Sequence, residues 1–305
     1  MAQKRSIEEK LNEMADEVHC QEEIPKQVQG LLAVAQSYVK IPYLSEKESR
    51  EYISWFGLPN AQKKYENCVA IASSIDYDKD DIEAFANRIL YQIENELHAP
   101  LNPSTGLYIS ALINNLPESQ EITIRPGNLC TKIALNHIGH RMGEKHEHSL
   151  HLYGVNADYI AQGMVKGEVY VNDSISIHLG RDMEGGYIEA PNCQDFVGAQ
   201  MKGGEIYLKR YTLIGPDGRT ITTSRGFIGL DMSGGKITVE GDCSSLGDNM
   251  RGGEIYVSGD VGFLGGSRGL KGGYIVVEGD AETTLDDFAG AQVTVKGELK
   301  KRYFL

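Results

Sequence analysis

The sequence predicts an α+β chain of two domains: a helical N-terminal domain over residues 1–120, then a right-handed, single-stranded parallel β-helix of about seven turns over residues 121–305. The β-helix rests on a repeated phrase. Met183-Glu184-Gly185-Gly186-Tyr187-Ile188 returns as Met201-Lys202-Gly203-Gly204-Glu205-Ile206, Met232-Ser233-Gly234-Gly235-Lys236-Ile237, Met250-Arg251-Gly252-Gly253-Glu254-Ile255 and Leu270-Lys271-Gly272-Gly273-Tyr274-Ile275. Degraded copies, Met164-Val165-Lys166-Gly167-Glu168-Val169 and Phe288-Ala289-Gly290-Ala291-Gln292-Val293, flank the set. The second glycine position falls at 167, 186, 204, 235, 253, 273 and 291, in steps of 19, 18, 31, 18, 20 and 18. A fixed period near 19 marks a solenoid, whereas a propeller blade needs about 40 residues.

Each copy runs into a short alternating strand, such as Ile255-Tyr256-Val257, with its two aliphatic residues on one face. Such a strand is unstable alone. Stacked about 4.8 Å from its neighbours it pairs on both sides and buries a continuous column, roughly 30 Å long over seven turns. Right-handedness follows from the general crossover preference. The glycines precede strands and recur too regularly for a phosphate loop, so they are read as corners that need φ > 0 or close backbone approach.

The N-terminal 117 residues have another texture. Ile7, Leu11, Met14 and Val18, then Val28, Leu31, Leu32, Ala35 and Val39, fall at helical spacing. Ser45 and Glu48 form a capping box for a helix through Trp55. Asp80 or Asp81 opens another helix that buries Ile82, Phe85, Ile89, Ile93 and Leu97. Tyr108, Ile109, Leu112, Ile113 and Leu116 predict a last one, stopped at Pro117. Five or six short helices without a chemical motif suit packing on the β-helix end, or pairing with a second copy in a homo-oligomer. A lead-in follows over 121–148: strand Glu121–Ile124 and a helix from about Thr131 to Gly143. The turns occupy 149–297, starting with strand Ser149–Leu152.

Two irregularities are the candidate sites. Five of the eight histidines (His137, His140, His146, His148 and His151) lie in the lead-in, with His137 and His140 on one face of the expected helix. They are candidate ligands for a divalent metal. Their spacing matches no established metal motif, and Lys145-His146-Glu147-His148 reads as an exposed loop, so packing or solvated histidines are the default. The 31-residue step holds an insertion over 209–224. Gly215-Pro216-Asp217-Gly218 is a turn signal between two β-rich arms, which predicts a protruding hairpin. Arg210, Tyr211, Asp217 and Arg219 make it a candidate docking element.

A net charge of −13 and a pI near 5.1 argue against nucleic acid or an anionic membrane as partner. No transmembrane run or signal peptide is seen, and the five cysteines show no Cys-x-x-Cys, so a reducing, cytoplasmic setting is expected. No cofactor is implied.

Asn136-His137-Ile138-Gly139-His140-Arg141-Met142-Gly143, Ser149-Leu150-His151-Leu152, Gly154-Val155-Asn156-Ala157-Asp158-Tyr159-Ile160-Ala161-Gln162-Gly163 and the Met-Ser-Gly-Gly phrase at 232–235 resemble the C-terminal domain of the glutamate synthase large subunit. The later Met-x-Gly-Gly-x-Ile copies resemble the glycine-repeat subunit of formylmethanofuran dehydrogenase and its formyltransferase/hydrolase relatives. The resemblance spans residues 121 to 297. It implies the glycine-repeat (GXGXG) β-helix and a non-catalytic, structural role in an oxidoreductase complex, since in those families amidotransferase, FMN and metal chemistry lies in other domains or subunits. Protein partners, amidotransferase and FMN-domain subunits among them, are therefore expected. The rival reading is an independent enzyme with a carboxylate column from Asp242, Asp260 and Asp280, or from Asp182, Asp195 and Asp231. Corner aspartates after glycine more often form turns.

Overall fold

A computed structural model describes residues 26–41, 61–90, 104–126, 135–155, 157–172, 178–191, 193, 195–209, 212–214, 220–222, 225–283 and 290–302. It is a parallel β-solenoid of about six turns with four helices among those residues. The count falls one below the seven turns expected.

The helices are α1 (Lys26–Tyr38), α2 (Ala61–Ala72), α3 (Lys79–Ala84), which runs on as a π-helical turn Phe85–Ile89, and α4 (Thr105–Asn114). The helices expected around Ile7–Val18 and Ser45–Trp55, with Ile93 and Leu97, lie outside the described residues. The buried stripe of α1 runs through Val34, Ala35 and Tyr38, leaving Val39 beyond the helix and 38% exposed. Helix α3 starts earlier than Asp80. The Asp78 carboxylate accepts the Asp81 amide (3.1 Å) and the Asp81 carboxylate accepts the Asp78 amide (3.0 Å), a reciprocal capping box. Every residue of α4 is buried. It is wedged against the lead-in so tightly that a Cβ on Gly106 would lie 2.0 Å from the Asn136 carbonyl oxygen.

Sixteen strands follow among the described residues. The main sheet stacks β1 (Glu121–Ile124), β2 (Ser149–Leu152), β3 (Glu168–Val171), β4 (Tyr187–Ala190), β5 (Glu205–Leu208), β9 (Lys236–Val239), β11 (Glu254–Val257), β13 (Gly273–Val277) and β15 (Ala291–Val295), all parallel. β16 (Glu298–Arg302) closes it antiparallel. A second parallel sheet holds β8 (Arg225–Ile228), β10 (Cys243–Leu246), β12 (Val261–Leu264) and β14 (Ala281–Thr283). The 31-residue step carries an antiparallel hairpin, β6 (Thr212–Ile214) with β7 (Thr220–Thr222).

Register explains the core. Ile188, Ile206, Ile237, Ile255, Ile275 and Val293 share one inward column. The methionines Met164, Met183, Met201, Met232 and Met250 are each fully buried. Each one's methyl lies where the next turn's second glycine would carry its Cβ: a Cβ on Gly204 (φ +85) would meet Met183 Cε at 2.6 Å and Gly186 O at 2.8 Å. The Met-x-Gly-Gly phrase is thus a contact between turns, not a local motif. The β1 end of the main sheet is covered. At β1 the Glu83 carboxylate accepts the Thr123 amide (2.7 Å), and Asn87 accepts from the Arg125 amide (2.7 Å) while donating to Thr123 O (3.2 Å). Side chains of α3 and its π turn thereby stand in for a missing strand. Among the described residues no helix is long and apolar enough to cross a membrane.

Candidate functional site

The lead-in is where the structure departs most from the sequence reading. Residues 135–143 are turns, not a helix. His137, Gly139, Arg141 and Gly143 take φ of +63, +75, +52 and +92, which a right-handed helix excludes. The same alternation recurs at Tyr159, Ala161 and Gly163, at His178, Gly180 and Asp182, and at Phe196, Gly198 and Gln200. The segment is therefore a corner of the solenoid. It is bonded as one: the His137 amide donates to Asp158 O (2.8 Å), the Ala161 amide to Ile138 O (2.9 Å) and the Arg141 amide to Gln162 O (2.9 Å). Left-handed backbone at so many non-glycine residues is costly and persists because neighbouring turns fix it from both sides.

This corner carries a ladder of stacked rings that runs His137–Tyr159–His178–Phe196–Phe227. The first four are buried. Burial keeps the histidines neutral: the rings of His137, His148 and His178 are pushed down to about 4 and that of His140 to about 3. Neither ring nitrogen of His140 has a hydrogen-bond partner among the described residues; its ring packs edge-on against Tyr65 at 4.9 Å. A polar network ties the corner to α4. Ser110 Oγ donates to His137 O (2.9 Å), Asn114 Nδ2 donates to His140 O (3.1 Å) and to Tyr65 Oη (2.7 Å), and the Gly143 amide donates to Asn114 Oδ1 (3.1 Å).

The five lead-in histidines separate. His137 and His140 lie 6.0 Å apart between ring centroids, and His146 and His148 lie 6.3 Å apart. His151 faces outward, stacked on Tyr170 at 4.8 Å and 3.6 Å from Glu121. His148 is buried and accepts the Gln120 amide at Nδ1 (3.2 Å), so the stretch read as an exposed loop is exposed only at Lys145 and Glu147. Among the described residues no group of three or more His, Cys, Asp or Glu is placed to hold a metal ion. Cys68, Cys193 and Cys243 are buried free thiols, and burial pushes the Cys68 thiol up to about 12.

The corner aspartates bond along the stack. Asp242 Oδ1 accepts the Asp260 amide (2.8 Å) and Asp260 Oδ1 accepts the Asp280 amide (2.7 Å). Asp195 Oδ1 accepts the amides of Phe196 (2.9 Å) and Phe227 (2.7 Å). Asp182 faces Arg181 (3.4 Å), and Asp231 pairs with Arg268 (3.2 Å), which also grips Asp248 (3.4 Å). A shallow, open trough of about 630 Å³ runs beside the second glycines Gly186, Gly204, Gly235 and Gly253, with Glu205 and Lys236 bridging it at 2.9 Å. The hairpin arms are present, but Arg210, Tyr211, Asp217 and Arg219 lie outside the described residues.

No protein family, curated protein or solved structure matches the chain. The ring ladder escaped the sequence reading. Its signal was an aromatic or histidine two residues before a glycine, as in His178-Leu179-Gly180, Phe196-Val197-Gly198 and Phe227-Ile228-Gly229.

Proposed function

We propose that this chain is a non-catalytic scaffold protein that holds partner catalytic subunits in register along a right-handed solenoid. The relationship to the glycine-repeat domain of glutamate synthase, a cytoplasmic setting and assembly with amidotransferase and FMN-domain subunits belong to the same proposal. The observation that carries it is the bonding of the corner aspartates. In an enzyme built on a β-helix, a carboxylate column would face substrate; here Asp242 and Asp260 each accept the amide of the next corner, a structural task. Carboxylates turned to neighbouring amides favour a rigid spacer over an acid–base pair.

The test is native purification from the source organism, followed by cross-linking and mass measurement. A complex with at least one other polypeptide at fixed stoichiometry is expected. The co-purifying polypeptide would tell the glutamate synthase relationship (amidotransferase, FMN domain) from the formylmethanofuran dehydrogenase one (molybdopterin protein). A single-component species that turns over a substrate by itself would sink the proposal.

A further inference from the structure

The ring ladder is interrupted at one rung that has rings on both sides. His137, Tyr159, His178, Phe196 and Phe227 stack at centroid separations of 4.7, 4.3, 4.7 and 5.4 Å, with interplanar angles of 11, 10, 15 and 17°. Strand register carries the column onward: Phe227 of β8 is level with Ser245 of β10, and Ser245 with Phe263 of β12. Ser245 therefore holds a ring position with a side chain too short to fill it. Phe227 and Phe263 stand two strand spacings apart, about 9.6 Å. That is the room one ring takes at the spacing of the ladder below it. Ser245 itself is only 9% exposed. Phe263 is 38% exposed, one of three exposed large hydrophobic residues among those described.

We infer that the Phe227–Ser245–Phe263 slit is an anchor socket that takes one aromatic side chain of a partner protein, inserted between the two phenylalanine rings. The inference rests on the scaffold reading and deepens it. The occupant follows from the column itself. Each of the five rungs before Ser245 is filled by a His, Tyr or Phe side chain, and the three positions of the socket carry no charge that would call for a phosphate or carboxylate. Aromatic side chains seated in desolvated clefts are the usual anchors of protein interfaces. A ring in the socket would lie about 4.8 Å from each neighbour, within the range for offset stacking.

The test is saturation-transfer NMR on the full chain with indole and p-cresol, analogues of the Trp and Tyr side chains, and with FMN as a separate arm. Saturable transfer to indole and p-cresol is expected. Phe263→Ala should weaken it roughly 2- to 12-fold, the loss of one stacked pair. Ser245→Phe should abolish it and also raise the melting temperature, because the added ring completes the stack. No saturable transfer in the wild type, or a lower melting temperature in Ser245→Phe, would overturn the inference. Binding of FMN without indole or p-cresol would overturn the side-chain assignment. Because these probes need no partner, a failed socket beside an intact native complex sinks this inference alone; a working socket on a solitary monomer sinks the scaffold reading and, with it, the partner-protein occupant, leaving only an aromatic-binding slit.

Discussion

Acid should unfold this protein early, and the buried imidazoles set how early. His137, His148 and His178 are held near 4 and His140 near 3, against an ordinary value of 6.5, with desolvation as the leading cause. A base whose folded pKa is depressed binds fewer protons in the folded state than in the unfolded state. Its stabilising share is fully present above 6.5 and is lost as the pH falls from 6.5 toward the folded value. At pH 5.5 the unfolded ring gains about 1.4 kcal/mol from protonation while the folded ring gains almost none. Together the four rings cost several kcal/mol, comparable with the lower end of the roughly 5–15 kcal/mol that typically holds a domain together. Urea denaturation followed by circular dichroism at pH 7.5, 6.5 and 5.5 measures this directly. The free energy should be flat above pH 7 and fall with a slope approaching four protons below pH 6. His140→Leu, which removes a ring without hydrogen-bond partners among the described residues, should lower that slope by one proton. A stability at pH 5.5 within about 1 kcal/mol of that at pH 7.5 would refute the reasoning, since it would mean that these rings are solvated.

Three further outcomes are expected. Gly204→Ala should cost more than about 3 kcal/mol, because its Cβ would meet backbone at 2.8 Å as well as Met183; Gly154→Ala, also at positive φ but with nothing within 4 Å, should cost only about 1–2 kcal/mol, and equal losses in thermal melts would count against the inter-turn contact. Asp260→Ala should cost about 0.5–1.5 kcal/mol by stranding the Asp280 amide, whereas Asp260→Asn, which keeps the acceptor, should lie close to the wild type in urea midpoints. Glu83→Ala should cost about 1–3 kcal/mol and raise amide exchange at Thr123, with protection restored by Glu83→Gln; unchanged exchange would show that the edge of β1 needs no side-chain cap.

How much of this was legible depends on whether a feature lives within one copy of the repeat or between copies. Strands Glu121–Ile124 and Ser149–Leu152 were readable to the residue, because alternation along a single strand fixes which side chains turn inward. The corner at 135–143 was misread as a helix for a specific reason. Leu135, Ile138 and Met142 are all fully buried at spacings of three and four, which mimics a helical stripe. The solenoid corner produces the same interval. Ile160 and Met164, Leu179 and Met183, and Val197 and Met201 are likewise four apart and buried. Only alignment of the copies separates the two readings, through the glycine or alanine at 139, 161, 180 and 198 that follows the aliphatic residue. The ladder hid more deeply, since its rungs change identity from His to Tyr to His to Phe while keeping one geometry. Met183 against Gly204 and Tyr159 against His178 each join one turn to the next, so neither contact can be inferred from a single turn. The place to look for function in such a chain is where a column filled on both sides is left open. Ser245 is that place in the ring column, as the residue whose side chain is the wrong size for its rung.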